Sequence, residues 1–129
     1  MERWLGPHAD RAFAVFRFVV GFLFAFHGAQ KLFGAFGGQV MTSNPLMLAA
    51  GVIELVGGVL VAIGLLTSWA AFVASGEMAV AYFMVHQPQG TWPIHNKGEL
   101  AALYCFAFLY IAARGAGRYA VDAALRGRR

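Results

Sequence analysis

Lys31, Glu54, Glu77 and Glu99 stand one apiece in four stretches of sequence that are otherwise apolar. An ionisable side chain left alone near the centre of a bilayer costs about 2.5–3.5 kcal/mol on insertion scales. Groups of this kind persist where they hold a ligand, relay a proton or pair with one another. His27 precedes Lys31 by one helical turn, as His95 precedes Glu99, so each pair is expected on one side of its helix. His27, Lys31, Glu54, Glu77, His95 and Glu99 therefore form a candidate ligand-binding set. Its ammonium and imidazole groups donate hydrogen bonds, and its carboxylates accept them and exchange protons.

Other chemistries find little support. Cys105 is the single cysteine, lies inside an apolar run and reads as a packing residue, so neither an intrachain disulfide nor CxxC dithiol chemistry is available. A thiolate-held iron–sulfur cluster lacks ligands. A di-iron bundle requires Glu-x-x-His spacing, which neither His27 nor His95 has to a glutamate. A bis-histidine haem would need His27 and His86 at matching depth on facing helices. Gly115, Gly117 and Ala120 match a dinucleotide-binding pattern but follow a hydrophobic helix with no βαβ unit, so the match is accidental. No metal and no cofactor carried by the chain itself are expected.

The elements that must position these groups follow from composition. The chain has 129 residues, 60% hydrophobic and 12% charged, against about 25% charged in an ordinary soluble domain, which identifies a membrane protein in contact with a lipid bilayer. The net charge of +4 comes from basic residues crowded near the two ends, without a basic stripe interleaved with aromatics, so nucleic acid is not an expected partner. Helices crossing a bilayer need about 17–25 residues, and apolar runs place four spans at about 12–34, 45–66, 68–86 and 97–114. Gly64, Thr67 and Ser68 mark the break between the second and third, with Ser68 as expected N-cap of the third. Arg3 and Arg11 precede the first span, and Arg114, Arg118, Arg126, Arg128 and Arg129 follow the last, while loops 34–44 and 86–96 carry no Lys or Arg. The apolar runs predict an all-α, membrane-embedded four-helix bundle, and the positive-inside rule places both termini in the cytoplasm. The first run is expected to be retained, because His27, Gln30 and Lys31 interrupt its end and no A-x-A site follows. Ala120, Val121, Ala124 and Leu125 share one face of a short interfacial helix.

Depth separates the ionisable groups. At about 1.5 Å per residue Glu54 sits about 13 Å inward of Pro45, and Glu77 is near the middle of its span. His27, Lys31, His86, His95 and Glu99 belong to the outer third. Each has a structural alternative: Lys31 and Arg17 as side chains that snorkel to the headgroups, Glu99 as a helix-dipole partner, and Glu54 and Glu77 as protonated carboxyls or partners of Lys31 or Arg17. Ala50, Gly57, Gly58 and Val61 share a face with Glu54, and Ala70, Ala74 and Ala81 share one with Glu77, so small residues would let helices approach there.

Several segments carry a resemblance. His27-Gly28-Ala29-Gln30-Lys31-Leu32-Phe33-Gly34, Gly51-Val52-Ile53-Glu54-Leu55-Val56-Gly57-Gly58, Ile63-Gly64-Leu65, Gly98-Glu99-Leu100 with Tyr104, and the tail from Arg114 to Asp122 together resemble DoxX-type membrane proteins over nearly the whole chain. The resemblance implies a single compact four-helix domain over 1–129 in a plasma (inner) membrane, and a link to thiosulfate:quinone oxidoreductase, sulfur metabolism and oxidative-stress complexes. It includes positions similar to Lys31, Glu54 and Glu99 and supplies no catalytic assignment. Three readings stay open: a non-electron-carrying subunit of a quinone-linked oxidoreductase, with quinone as ligand and a membrane or soluble redox partner; a small-solute binding or transport protein, expected to be a homo-oligomer; and a structural scaffold subunit.

Overall fold

In the computed structural model, which describes residues 1–127, the chain is all-helical, with no strand among the described residues. A short helix, α1 (Glu2–Leu5), leads through a 3-10 turn containing Pro7 into α2 (Ala9–Phe33). Gly34 ends α2 in the left-handed conformation, φ 66°, returning its amide to the Gln30 carbonyl. The next segment starts with Asn44, whose Oδ1 accepts from the amides of Leu46 (2.9 Å) and Met47 (3.4 Å), with Pro45 at the first helical position. It comprises α3 (Pro45–Val52), a π turn over Ile53–Gly57 and α4 (Gly58–Ile63), and stops at left-handed Gly64. α5 (Thr67–Ala81) continues into a second π turn, Tyr82–His86. After the one-turn α6 (Pro93–Asn96) come α7 (Glu99–Arg114) and α8 (Val121–Arg126).

Three helical stretches, Glu2–Phe33, Pro45–Ile63 and Thr67–Gln89, are long and apolar enough to cross a membrane. α7 has 16 residues, about 24 Å at about 1.5 Å per residue. It starts later than expected because Lys97 adopts a left-handed conformation, φ 59°, that separates α6 from α7. Val15, Phe18, Phe22, Phe72, Leu103 and Phe106 point outward and are exposed. A chain apolar on its outer surface as well as in its core belongs in lipid.

The core explains the packing. Phe13, Arg17, Gly21, Phe24 and Gly28 form one buried stripe on α2 at helical spacing. A Cβ placed on Gly21 would lie 2.5 Å from the Gly58 carbonyl oxygen and 2.6 Å from the Ala62 nitrogen; on Gly28 it would strike the Leu55 and Gly51 backbone. Gly58 meets Ala25 and Gly21 in the same way. α2 and the 45–63 segment thus run antiparallel in backbone contact. α5 and α7 are likewise antiparallel, Ser75 Oγ donating to the Cys105 carbonyl at 2.8 Å while Gly115 nears Ser68. Phe24 bridges the two pairs, its ring centroid 4.6 Å from that of Phe108 and 5.4 Å from that of Tyr104.

One end of the molecule is closed by two charges. Arg17 is 3% exposed and donates to the carbonyls of Val61 (2.5 Å), Ala62 (2.8 Å) and Tyr119 (2.7 Å). It is a buried strut, not a snorkelling anchor. The carbonyls at the end of α4 need donors that lipid cannot offer. Asp122 does the reverse for α5: Oδ1 accepts from the Leu66 amide at 2.9 Å, and Oδ2 from the Thr67 amide and hydroxyl at 3.0 and 2.9 Å. Ser68 makes no capping bond, the cap coming from α8 instead. Asp10 and Arg114 pair at 3.1 Å at the same end, so the first and last long helices have matching extremities there.

Two predictions follow from these contacts. Gly58→Ala forces a side chain against backbone and is expected to cost about 1–3 kcal/mol, whereas Gly76→Ala, which meets nothing within 4 Å, should be neutral or stabilising by about 0.5–1 kcal/mol; thermal unfolding in detergent compares them. Partial burial disfavours the Asp122 charge, yet the amides of Thr67 and Leu66, the Thr67 hydroxyl and Arg126 hold its carboxyl below the usual carboxylate range. A depressed carboxyl stabilises above its unfolded-state value, about 3.9, and its contribution is lost as pH falls through the folded value. Melting temperature should therefore drop more steeply below about pH 4 in the wild type than in Asp122→Asn.

Candidate functional site

The opposite end of the molecule is open. A cavity of about 390 Å³ is walled by Phe24, Met78, Leu100, Ala101 and Tyr104, and bordered by His27, Lys31, Glu54, Glu77, His86 and Lys97. The polar groups arrive from several local devices. Lys31 and His27 come from the last two turns of α2, and Glu54 from the first π turn. Glu77 comes from the middle of α5, His86 from the second π turn and Lys97 from the left-handed break before α7. π turns widen a helix by one residue and recur at functional sites because they re-aim a side chain. Here each brings an ionisable group to the cavity.

Lys31 Nζ donates to both Glu54 oxygens at 2.6 Å. Glu54 is 2% exposed and Lys31 23%, so the pair reaches from the core toward the cavity mouth. The close approach of α2 to the 45–63 segment at Gly28 makes this bond geometrically available. Glu77 has a different environment: its Oε2 is buried with no hydrogen-bond partner. The His27 ring stands edge-on to Tyr104, centroids 6.0 Å apart. A second, more open cavity of about 490 Å³ lies under Gly37, Gly38 and Gln39 and shares His27, Lys31 and Met41 with the first, so Lys31 borders both.

Of the six residues singled out from sequence, His27, Lys31, Glu54 and Glu77 line the apolar-walled cavity, and His95 and Glu99 do not. The expected shared face of His95 and Glu99 presumed one continuous helix; Lys97 at φ 59° and Gly98 interrupt it, and both side chains are exposed. His86 and Lys97 line the cavity without having been in that set. Asn96 is the buried anchor of this loop. Its Nδ2 donates to the Gly90 carbonyl at 2.8 Å, its Oδ1 accepts from the Gly98 amide at 2.8 Å, and its carbonyl lies 3.1 Å from His86 Nδ1. Asn-Lys-Gly following a short helical run is a helix-stop signal, from which the break could have been read. No group of three or more His, Cys, Asp or Glu side chains forms a metal site among the described residues.

The comparisons agree with the motifs. The family model described as DoxX matches residues 12–87, a region that includes Lys31, Glu54, Glu77 and His86. An uncharacterized protein of Haemophilus influenzae is 45% identical over 116 residues, covering 84% of this chain and 87% of that protein. No solved structure matches.

The Lys31–Glu54 geometry makes a stability prediction. Lys31→Met leaves a buried carboxylate without its cation and is expected to cost about 3 kcal/mol or more. Lys31→Met combined with Glu54→Leu removes both charges and should return stability to within about 1 kcal/mol of wild type. Equal melting temperatures for the single and double variants would show that the pair does not carry this energy.

Proposed function

This chain belongs to the DoxX family, and on that premise we propose that it is a plasma (inner) membrane protein of four antiparallel helices whose cavity receives a quinone headgroup. It serves in this reading as the ligand-binding, non-electron-carrying subunit of a quinone- or sulfur-linked redox complex. α7 acts as the fourth membrane helix: its Leu103, Phe106 and Leu109 are exposed to the outside, and its inner face packs along α5 and against Phe24. Arginines gather at the end where Asp10 meets Arg114, which supports a cytoplasmic location for that end and an outward-facing cavity.

The observation that carries the ligand reading is the cavity itself. About 390 Å³ falls within the range of small-molecule sites, about 300–1,000 Å³, and such sites pair an apolar wall with a few polar groups that fix orientation. A quinone ring fits between the apolar faces of Phe24, Met78 and Tyr104. Its carbonyl oxygens need donors, and Lys31 retains an N–H beyond the two given to Glu54. Electrons reach the quinone from a partner subunit.

Purified protein in nanodiscs of neutral lipid, titrated calorimetrically with a short-chain quinone, should show saturable binding. Ala81→Phe fills the cavity from the α5 side and should weaken that binding by about tenfold or more. Binding that is absent in the wild type, or unchanged by Ala81→Phe, would overturn the proposal.

A further inference from the structure

Glu77 differs from the other carboxyl of the cavity. Both oxygens of Glu54 accept from the Lys31 ammonium. Glu77 borders the same cavity and has no such cation: its Oε2 is buried without any hydrogen-bond partner, while its Oε1 is not closed off in this way. The two oxygens are therefore unlike. Oε2 is sealed within the protein, and Oε1 is the atom that a molecule in the cavity can reach.

The facing groups supply no free counter-charge. The first π turn, which packs on α5, brings Glu54, of the same sign. From α2 come Lys31, which already neutralises Glu54, and His27, whose ring stands against Tyr104 of α7. At the rim, His86 Nδ1 lies 3.1 Å from the Asn96 carbonyl, and Lys97 is exposed to the outside. A carboxylate at Glu77 would thus be a buried charge without a partner, and buried groups avoid that cost by taking up a proton. The neutral form also accounts for Oε2. An uncharged carbonyl-type oxygen is far less costly to leave unpaired than a carboxylate oxygen.

Resting on the reading that this cavity takes a quinone, we propose that Glu77 is a neutral carboxylic acid whose Oε1–H donates a hydrogen bond to a ring carbonyl of that quinone. A protonated carboxyl carries one O–H donor. Quinone oxygens only accept, so each needs a donor from the protein. Lys31 offers one from α2 and Glu77 a second from α5, beside the apolar faces of Phe24, Met78 and Tyr104. A glutamine at this position would still donate, through its amide. A leucine would keep comparable bulk and donate nothing.

Infrared spectroscopy reads the protonation state of the full chain at neutral pH, in nanodiscs of ether-linked lipid that has no ester carbonyl to overlap. The wild type should show the carbonyl-stretch band of a protonated carboxylic acid. That band should vanish in Glu77→Gln and persist when Lys31→Met and Glu54→Leu together remove the neighbouring pair. A saturating short-chain quinone should shift it. Calorimetric titration with the same quinone should give Glu77→Gln an affinity within about threefold of wild type, and Glu77→Leu one weaker by about tenfold. A missing band, a band that bound quinone leaves in place, or wild-type affinity in Glu77→Leu overturns the inference and leaves quinone binding standing. If the quinone does not bind the wild type, the ligand reading fails and takes this inference with it.

Discussion

At Gly21, Gly28 and Gly58 two helices touch with no side chain between them, and the remaining architecture depends on that approach. Lipid gives apolar faces no reason to leave it for each other, so helices in a membrane associate through close packing and hydrogen bonds. A Cβ at any of these three glycines would meet main-chain atoms of the facing helix, which cannot rotate aside. With the backbones in contact, Lys31 lies within reach of Glu54, and Arg17 within reach of the last carbonyls of α4. A separation larger by one methyl group would stretch both. The glycines therefore hold charges together as much as they pack helices.

The two ends of the molecule handle buried polarity in opposite ways. Where Asp10 meets Arg114, the loop between α4 and α5 is gripped from outside its own sequence. Arg17 supplies a cation to the carbonyl end of one helix, and Asp122 an anion to the amide end of the next. Each sign matches the helix dipole it faces. At the other end the Lys31–Glu54 pair is satisfied, but Glu77 is not, and a cavity lies beside it. Each end leaves one buried polar atom without a partner, Arg17 Nε at the first and Glu77 Oε2 at the second. What separates them is the lining of the space beside each: an apolar wall of Phe24, Met78 and Tyr104 at the second, and helix-end polar groups at the first.

Much of the local structure can be read directly along the chain. Gly64 ends a helix because only its left-handed conformation closes the last turn without strain, and Asn44-Pro45 starts one because side-chain and ring geometry both suit the first turn. Arg17 is harder. Its acceptors are 44, 45 and 102 residues away, and an arginine near a helix end looks the same whether it snorkels or bonds. Ser68 had the right chemistry for a cap and lost the place to Asp122, 55 residues beyond Thr67, whose two oxygens serve three donors. The spacing of His95 and Glu99 meant a shared face only if the helix between them was unbroken. Lys97 left the helical region, and the relation vanished.

By itself the sequence determined the solvent, the helical class and the presence of ionisable groups in apolar surroundings, since these are sums over residues and near neighbours. Hydrophobicity adds along a chain, and a cap or a stop acts within a turn. Tertiary structure alone decided which of those groups are satisfied. Lys31 closes on Glu54 and Glu77 closes on nothing because pairing depends on distance through space, set by helices that meet at glycine. Six candidates of similar standing in the sequence thus became one buried pair, one open carboxyl, one histidine at the cavity wall and two exposed side chains.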